Sequence, residues 1–223
     1  MTTELFQQRM LAAFRPGEAV EPSARWQQRK SAQTRLRLIE AAIDCLIEGG
    51  YVGLSTAAVA ERCKVSRGAM HHHFATRLEL VAAVVEHVFY HRMRTYLENY
   101  FTAVRSGSEE LLVEIACEQH WQSVRSREYA AYLELAVAAR TDAELEAFFA
   151  PAAQRYDEVW TSEMIEAFPQ WREHWDALKL ASDFTMAAHM GLLLHAPTFG
   201  SGERHERVRE LVARTVRSLY DAP

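Results

Sequence analysis

Residues 54–80 have the sequence LSTAAVAERCKVSRGAMHHHFATRLEL, and this stretch gives the strongest indication of the fold. Ser55 and Ser66 are residue types that favour helix N-termini. The stretch therefore predicts two short helices, over about 55–62 and 67–73, separated by a three-residue turn. Helices this short are unstable alone, so they must pack on neighbouring helices. A helix, a short turn and a second short helix are typical of a helix-turn-helix unit.

Helical patterns continue on both sides of this unit. Upstream, Ile39, Ile43 and Leu46 recur at helical spacing and predict a helix over about 24–48. Gly49-Gly50 is expected to end it in the left-handed conformation. Downstream, one long helix is predicted from about residue 77 to 104. The remaining predicted helices cover about 3–14, 109–126, 128–140, 142–167, 170–196 and 203–220.

These elements predict an all-α fold, since no segment shows the alternating pattern of a strand. We expect an N-terminal three-helix head that contains the helix-turn-helix, and a C-terminal helical bundle. Residues 1–23 are assigned to an N-terminal extension and linker, 24–80 to the head, and 81–223 to the bundle.

The charge is distributed unevenly along the chain. The whole sequence carries a net charge of −5, but residues 22–77 contain nine Lys or Arg against four Asp or Glu. This segment therefore carries +5 and the rest of the chain −10. A charged run is often just a solvated face, but a basic segment on an acidic body also suits an anion-binding surface, with phosphates as the usual partner.

The second short helix has side chains suited to the edges of base pairs in a major groove. Arg67 can donate two hydrogen bonds to guanine, while Gly68 and Ala69 allow close approach, with the Ala69 methyl against thymine. Ser55 and Thr56 place hydroxyl and amide groups at a helix N-terminus, where a phosphate is favoured. The predicted DNA-contacting residues are Ser55, Thr56, Ser66, Arg67, Gly68, Ala69, His71, His72, His73, Thr76 and Arg77.

The same stretch closely resembles the DNA-binding signature of the TetR family of bacterial transcriptional regulators. That signature typically has a Thr-rich start, Ile/Val-Ala, a Gly-Val-Ser turn, Leu-Tyr-His-His-Phe and a Ser/Asn-Lys step. The matching residues are Thr56, Val59-Ala60, Val65-Ser66, His72-His73-Phe74 and Thr76-Arg77. The strong resemblance covers about residues 32–85 and implies that residues 24–80 are a DNA-binding domain.

Two positions depart from the family pattern. Lys64 stands where the family usually has Gly, and a left-handed backbone there would cost about 1–2 kcal/mol. His71 stands where the family usually has Tyr, whose hydroxyl commonly contacts a phosphate. Because an imidazole is shorter and titrates near neutral pH, we expect that contact to persist with altered reach.

The resemblance also implies that residues 81–223 form a ligand-binding and dimerisation domain. In the family, the last two helices of each chain pair into a four-helix dimer interface. The helix containing residues 178–196 is apolar on nearly every side, which predicts burial all round. A homodimer would place two reading helices one DNA turn apart, or a multiple of one turn. We therefore expect it to bind double-stranded DNA at an inverted-repeat operator.

A ligand cavity in the bundle is a further implication of the resemblance. Aromatic and Met side chains with a few polar groups suit an apolar pocket, although the same residue types at helical spacing also suit plain core. The candidate ligand-binding residues are Trp121, His120, Tyr156, Trp160, Met164, Met186, His189 and Met190. The expected effector is a small, mostly apolar molecule.

Catalytic and metal chemistry are not indicated. Residues 71–73 are consecutive histidines that point about 100° apart on a helix, so they cannot share one ion. His87 and His91 are one turn apart but lack a third ligand. Paired carboxylates in a credible setting, GxSxG and glycine-rich phosphate loops are all missing from the sequence. We therefore expect no enzyme activity, no metal and no cofactor.

The cellular setting is also an expectation from sequence. The three cysteines are widely spaced without a CxxC pair, which fits a reducing compartment. No signal peptide or membrane span is read from the sequence. We therefore expect a cytoplasmic protein without a membrane partner.

Two functional hypotheses remain. The first is a ligand-responsive repressor that a mostly apolar molecule releases from its operator. The alternative is a ligand-free DNA-bound adaptor whose body recruits a protein partner. A cavity in the body favours the first, and a packed body with a large exposed apolar patch favours the second.

Overall fold

A computed structural model of the chain describes residues 3–14, 26–106, 112–167, 169–200 and 202–220. Within these residues every regular element is a helix and none is a strand, which confirms the all-α prediction. The helices are α1 Thr3–Phe14, α2 Trp26–Gly53, α3 Thr56–Cys63, α4 Arg67–His73, α5 Arg77–Ser106, α6 Leu112–Val124, α7 Arg127–Ala139, α8 Ala143–Ala167, a 3₁₀ segment Pro169–His174, α9 Trp175–Leu194, α10 Ala196–Phe199 and α11 Glu203–Tyr220.

Local side-chain caps start the two helices of the helix-turn-helix. The Ser55 hydroxyl accepts a hydrogen bond from the Ala58 amide at 3.2 Å, and the Ser66 hydroxyl accepts one from the Ala69 amide at 3.1 Å. Each bond satisfies an amide that would otherwise lack a partner within its helix. The turn between the helices is short because Lys64 adopts the left-handed conformation, with φ 54° and ψ 43°.

Gly50 has the left-handed φ that the sequence predicts, at 66°. The ψ of Gly50 is −178°, so the backbone leaves the helical path at this residue. The first segment of α2 therefore ends at Gly49-Gly50, as predicted, and a short second segment continues across the kink to Gly53. Glycine tolerates this positive φ without a steric penalty.

One compact unit comprises residues 11–92 and 127–157. Its core combines α2, α3 and α4 with the first half of α5, the whole of α7 and the first half of α8. The largest fully buried side chains there are Leu38, Ile43, Leu46, Leu54, Met70, Phe74, Leu80, Tyr129 and Leu135. The helix-turn-helix is thus built into a core that extends well past residue 80.

The second compact unit comprises residues 1–10, 93–126 and 158–223. Here α9 packs against α6 and α11. Ala181, Thr185 and Leu192 are buried on the inner face of α9, and Val212 and Val216 are buried on α11.

Burial of α9 on all sides, expected from its composition, is not observed in the single chain. Leu180, Phe184 and Leu194 are 56%, 37% and 53% exposed. Their spacing of four and ten residues places them on one stripe, opposite the buried face. The helix is apolar all round because it has two apolar faces, of which the body of this chain covers one.

No helix among the described residues is long and apolar enough to cross a membrane.

Candidate functional site

The helix α4 has one anchored face and one open face. Met70 and Phe74 are 1% and 0% exposed, so they fix the helix to the core. The residues Arg67, Gly68, His71 and His72 are exposed, and Ala69 and His73 are half-buried. The open face therefore presents a guanidinium and two imidazoles around a position with no side chain, as reading of a groove requires.

The predicted hydroxyl residues around α4 are used to start helices. Ser55 and Ser66 cap α3 and α4, as described above. The Thr76 hydroxyl accepts from the Glu79 amide at 3.1 Å and starts α5, while the Glu79 carboxylate accepts from the Ala75 amide at 3.0 Å. Thr56 is half-buried at the first position of α3. Their contacts with DNA stay a prediction.

Arg77 is directed into the protein. Its guanidinium donates to the carbonyl oxygens of Leu54 at 2.7 Å and Tyr51 at 2.8 Å, and it lies 4.2 Å from the centre of the Tyr51 ring. These bonds satisfy carbonyl groups near the C-terminal end of α2. The predicted DNA contact of Arg77 therefore competes with an internal role that the sequence did not indicate.

Three more basic residues of the positive segment are also engaged internally. Arg35 donates to the His73 carbonyl at 2.9 Å and stacks 4.1 Å from the Phe74 ring centre. Arg37 donates to the Cys63 carbonyl at 3.3 Å. Arg62 binds the Glu48 carboxylate through contacts of 2.5 and 2.7 Å. These side chains therefore help to hold α3 and α4 in place.

The exposed cations of this unit include Arg67, Lys64 and two residues at the start of α2, Arg29 and Lys30. Lys30 lies 5.2 Å from the centre of the exposed Trp26 ring. Neither Arg29 nor Lys30 was singled out as a DNA contact from the sequence. The signal available was their place in the basic segment, which does not distinguish exposed cations from internally bonded ones.

The three histidines of α4 have different surroundings. A ring nitrogen of His71, Nδ1, lies 3.2 Å from the Ala75 carbonyl oxygen, so His71 helps to finish the helix. Burial is the main factor that lowers the pKa of His73, with neighbouring positive charges adding to it. His73 is therefore neutral at pH 7. His72 is exposed, and the centre of its ring lies 5.3 Å from that of His73.

The predicted ligand residues divide among several environments. A cavity of about 160 Å³ lies in the second compact unit. It is lined mainly by aromatic and aliphatic side chains from α1, α5, α6, α8 and α9. Three of the eight predicted ligand residues line it, namely His120, Trp160 and Met164. Lys179 is the charged side chain in the lining, and it pairs with Asp183 at 2.5 Å.

Trp121 and His189 form a buried cluster in the same unit. Nδ1 of His189 lies 3.0 Å from Nδ1 of His120, and the Trp121 ring packs 4.9 Å from the His205 ring. Burial, helped by the nearby Arg209, lowers the pKa of His189 to about 4. His189 is therefore neutral at pH 7, and His120 connects this cluster to the cavity.

The other three predicted ligand residues do not line this cavity. Tyr156 lies in the first compact unit, where its ring is 5.4 Å from the Arg92 guanidinium and that guanidinium stacks 3.8 Å from the Tyr132 ring. Met186 and Met190 lie half-buried on α9.

Among the residues that the structure describes, no group of three His, Cys, Asp or Glu side chains could hold a metal ion. His87 instead pairs with the Glu40 carboxylate at 3.0 Å and stacks on His91.

Comparison with known proteins agrees with the geometry of the head. The family model described as bacterial regulatory proteins, tetR family, matches residues 38–84, which contain α3, α4 and the start of α5. The transcriptional regulator CymR of Pseudomonas putida is 41% identical over 70 residues, covering 31% of this chain. The chain thus matches only about a third (34%) of the length of that relative.

Two further comparisons extend over most of the chain. The transcriptional repressor AcnR of Corynebacterium efficiens is 25% identical over 84% of this chain and 95% of its own length. The crystal structure of a transcriptional regulator from Rhodococcus sp. Rha1 superposes with a TM-score of 0.58 and 24% identity, covering 82% of this chain and 95% of that chain. Both matches therefore extend over the head and the body of this chain. Residues 38–84 of this chain therefore match the TetR family of bacterial regulatory proteins, and most of the chain is similar to transcriptional regulators.

Proposed function

We propose that the protein is a DNA-binding transcriptional repressor that a small, mostly apolar molecule releases from its operator. The observation that carries the DNA-binding part is the open face of α4, where Arg67 is exposed beside Gly68 while Met70 and Phe74 anchor the opposite face. An exposed guanidinium at the N-terminal end of such a helix can donate two hydrogen bonds to guanine. The role as a repressor is proposed by analogy with AcnR of Corynebacterium efficiens, a transcriptional repressor.

The proposed homodimer is supported by the exposed stripe on α9. Leu180, Phe184 and Leu194 would leave a row of large apolar side chains in water if the chain stayed alone. Leu211 on α11, the helix that packs against α9, is also 53% exposed. A second copy related by two-fold symmetry would cover the same surface on both chains, and it would favour an operator with inverted-repeat half-sites.

The proposed effector site is the cavity that His120, Trp160 and Met164 help to line. Its walls are mostly aromatic and aliphatic, with a few polar groups from His120, Lys179 and Thr185. Such a composition suits a ligand with an apolar body and one or two hydrogen-bonding groups. Binding there would lower DNA affinity only if the ligand prefers the conformation that does not bind DNA.

The adaptor hypothesis makes a different use of the α9 stripe. If a protein partner covered the stripe, the chain would be monomeric by itself and the cavity would have no role. The cavity favours the ligand-responsive repressor, since a packed body would be enough for an adaptor.

Selection of duplexes from a random pool tests the proposal. We expect the purified protein to enrich an inverted repeat whose half-sites lie about one helical turn apart, or a multiple of it. Footprinting should then show two protected half-sites related by a dyad. Absence of any enriched sequence at moderate salt, or enrichment of a single asymmetric site, would contradict the proposed dimeric operator recognition.

A further inference from the structure

The N-terminal helix α1 is docked on the body of the chain through one apolar face. Phe6 and Met10 lie one turn apart, and they are 3% and 0% exposed. Gln8, on another face of the helix, is exposed. A 12-residue helix is marginal in water by itself, so this docking is what keeps α1 helical.

Phe6 is also part of the wall of the cavity. Its ring packs edge to face against Phe101 of α5, with ring centres 5.7 Å apart. Phe6 lines the same cavity as Trp160 and His120, which come from α8 and α6. The other lining residues all come from residues 96–216, so α1 is the part of the wall that comes from the far end of the chain.

A charged contact fixes the position of α1 beside this wall. The Arg9 guanidinium contacts the carboxylates of Glu163, at 3.2 Å, and Glu166, both on α8. The hydrogen bond from Arg9 lowers the pKa of Glu166, so that carboxylate is ionised at neutral pH. Arg9 itself does not line the cavity. The contact that positions the helix is therefore separate from the contact that shapes the cavity.

We propose that α1 forms part of the effector site and contributes to ligand binding, and that Phe6 determines the length of the molecule that the cavity admits. The inference rests on the proposed ligand function and adds to it a specificity-determining residue outside the bundle. A molecule in the cavity would contact the Phe6 ring directly. Ligand binding and α1 docking therefore stabilise each other by the same factor.

The test measures a homologous series of straight-chain alkanols, from hexanol to dodecanol, by isothermal titration calorimetry on the full chain. Each methylene that leaves water for an apolar site raises the affinity about four-fold. For the wild type we expect this rise until the chain fills the cavity, and a plateau beyond that length. For Phe6→Ala the plateau should begin at a longer alkanol, because a ring has been removed from the wall.

Two further variants distinguish the effect of the cavity wall from that of the Arg9 contact that positions α1. Arg9→Ala should lower the affinity for every alkanol and leave the plateau length unchanged, since α1 docks less well but the wall is the same. Gln8→Ala, an exposed position on the same helix, should reproduce the wild type in both respects. A plateau length that is the same in Phe6→Ala and in the wild type would overturn the proposal.

Amide hydrogen exchange provides a readout that does not depend on ligand affinity. We expect protection of residues 3–14 in the free protein and greater protection when an alkanol that fills the cavity is bound. If these amides exchange freely in both states while the wild type still binds alkanols, the role of α1 is rejected and the effector cavity stands. If the wild type binds no alkanol at all, the effector cavity is rejected, and the role of α1 with it.

Discussion

Lys64 holds the turn of the helix-turn-helix in a backbone conformation that side chains disfavour. Its φ of 54° lies in the left-handed region, and its amide donates to the carbonyl oxygens of Ala60 and Glu61 at the end of α3. A left-handed residue with a Cβ costs about 1–2 kcal/mol. The resemblance to TetR regulators predicted this strain from the sequence, because the family usually has Gly there.

Replacing this residue should make the protein more stable. We expect Lys64→Gly to raise the free energy of unfolding by up to about 1 kcal/mol, since relief of strain exceeds the greater flexibility of unfolded Gly. Urea denaturation monitored by circular dichroism measures the change. Lys64→Asn, which loses the same charge and tolerates the same φ, serves as the matched comparison. A loss of stability in both variants would contradict the strain.

His189 should make stability depend on pH in the weakly acidic range. The unfolded chain has a His pKa of about 6.5, whereas the folded value is about 4. Between these values the unfolded state binds a proton that the folded state does not. The free energy of unfolding therefore keeps its full value above about pH 6.5 and decreases as the pH falls toward 4. The protonation of His189 alone lowers it by about 2 kcal/mol at pH 5.

Urea denaturation at pH 7.5 and pH 5 measures this effect. His189→Leu should lose that part of the pH dependence, whereas His174→Leu, at an exposed position, should keep it. Equal pH dependence in the wild type and His189→Leu would show that burial of His189 does not have the expected effect.

Interactions between sequence neighbours could be predicted at the residue scale, and distant partners could not. Ser55 and Ser66 were predicted to start helices, and the amide that each caps lies only three residues later. The bonds from Arg35 to the His73 carbonyl and from Arg77 to the Tyr51 carbonyl join residues 38 and 26 positions apart. Composition alone counted both as available positive charge.

The faces of helices α9 and α8 illustrate the same limit at the scale of elements. The sequence showed that α9 is apolar all round, but it could not show that one of its faces stays open in the single chain. On α8, Tyr156 and Trp160 are one turn apart and were both predicted to bind ligand. They belong to different compact units, since the helix passes from one unit to the other after residue 157.

The open face of α9 leads to a prediction about assembly. We expect Phe184→Glu to convert the dimer to a monomer, because each chain would have to bury an uncompensated carboxylate in the interface. Sedimentation velocity at micromolar concentration measures the state of assembly. Val137→Glu, at an exposed apolar residue of α7, should remain dimeric. A Phe184→Glu variant with the same sedimentation coefficient as the wild type would place the interface elsewhere.

At the scale of the whole molecule, the function that we propose divides between two regions of opposite charge. Residues 22–77 carry +5 and the remainder −10, so DNA attraction comes from a local surface and not from the net charge of −5. The internal bonds of Arg35, Arg37 and Arg77 restrict how far these guanidinium groups can reach toward phosphates, and the Glu48 carboxylate offsets the charge of Arg62. Base contacts from α4 must then account for much of the difference between an operator and random DNA.

Fluorescence anisotropy can separate reading of bases from attraction to phosphates. The wild type and Arg67→Ala are titrated at one salt concentration with the selected duplex and with a scrambled duplex. A bidentate contact with guanine is worth about 1–3 kcal/mol, and a dimer makes two. We therefore expect Arg67→Ala to lose at least about 30-fold in affinity for the selected duplex and little for the scrambled one. Arg140→Ala, which removes an exposed charge after α7, should bind both duplexes as the wild type does. Unchanged affinity of Arg67→Ala for the selected duplex would show that α4 does not read the operator.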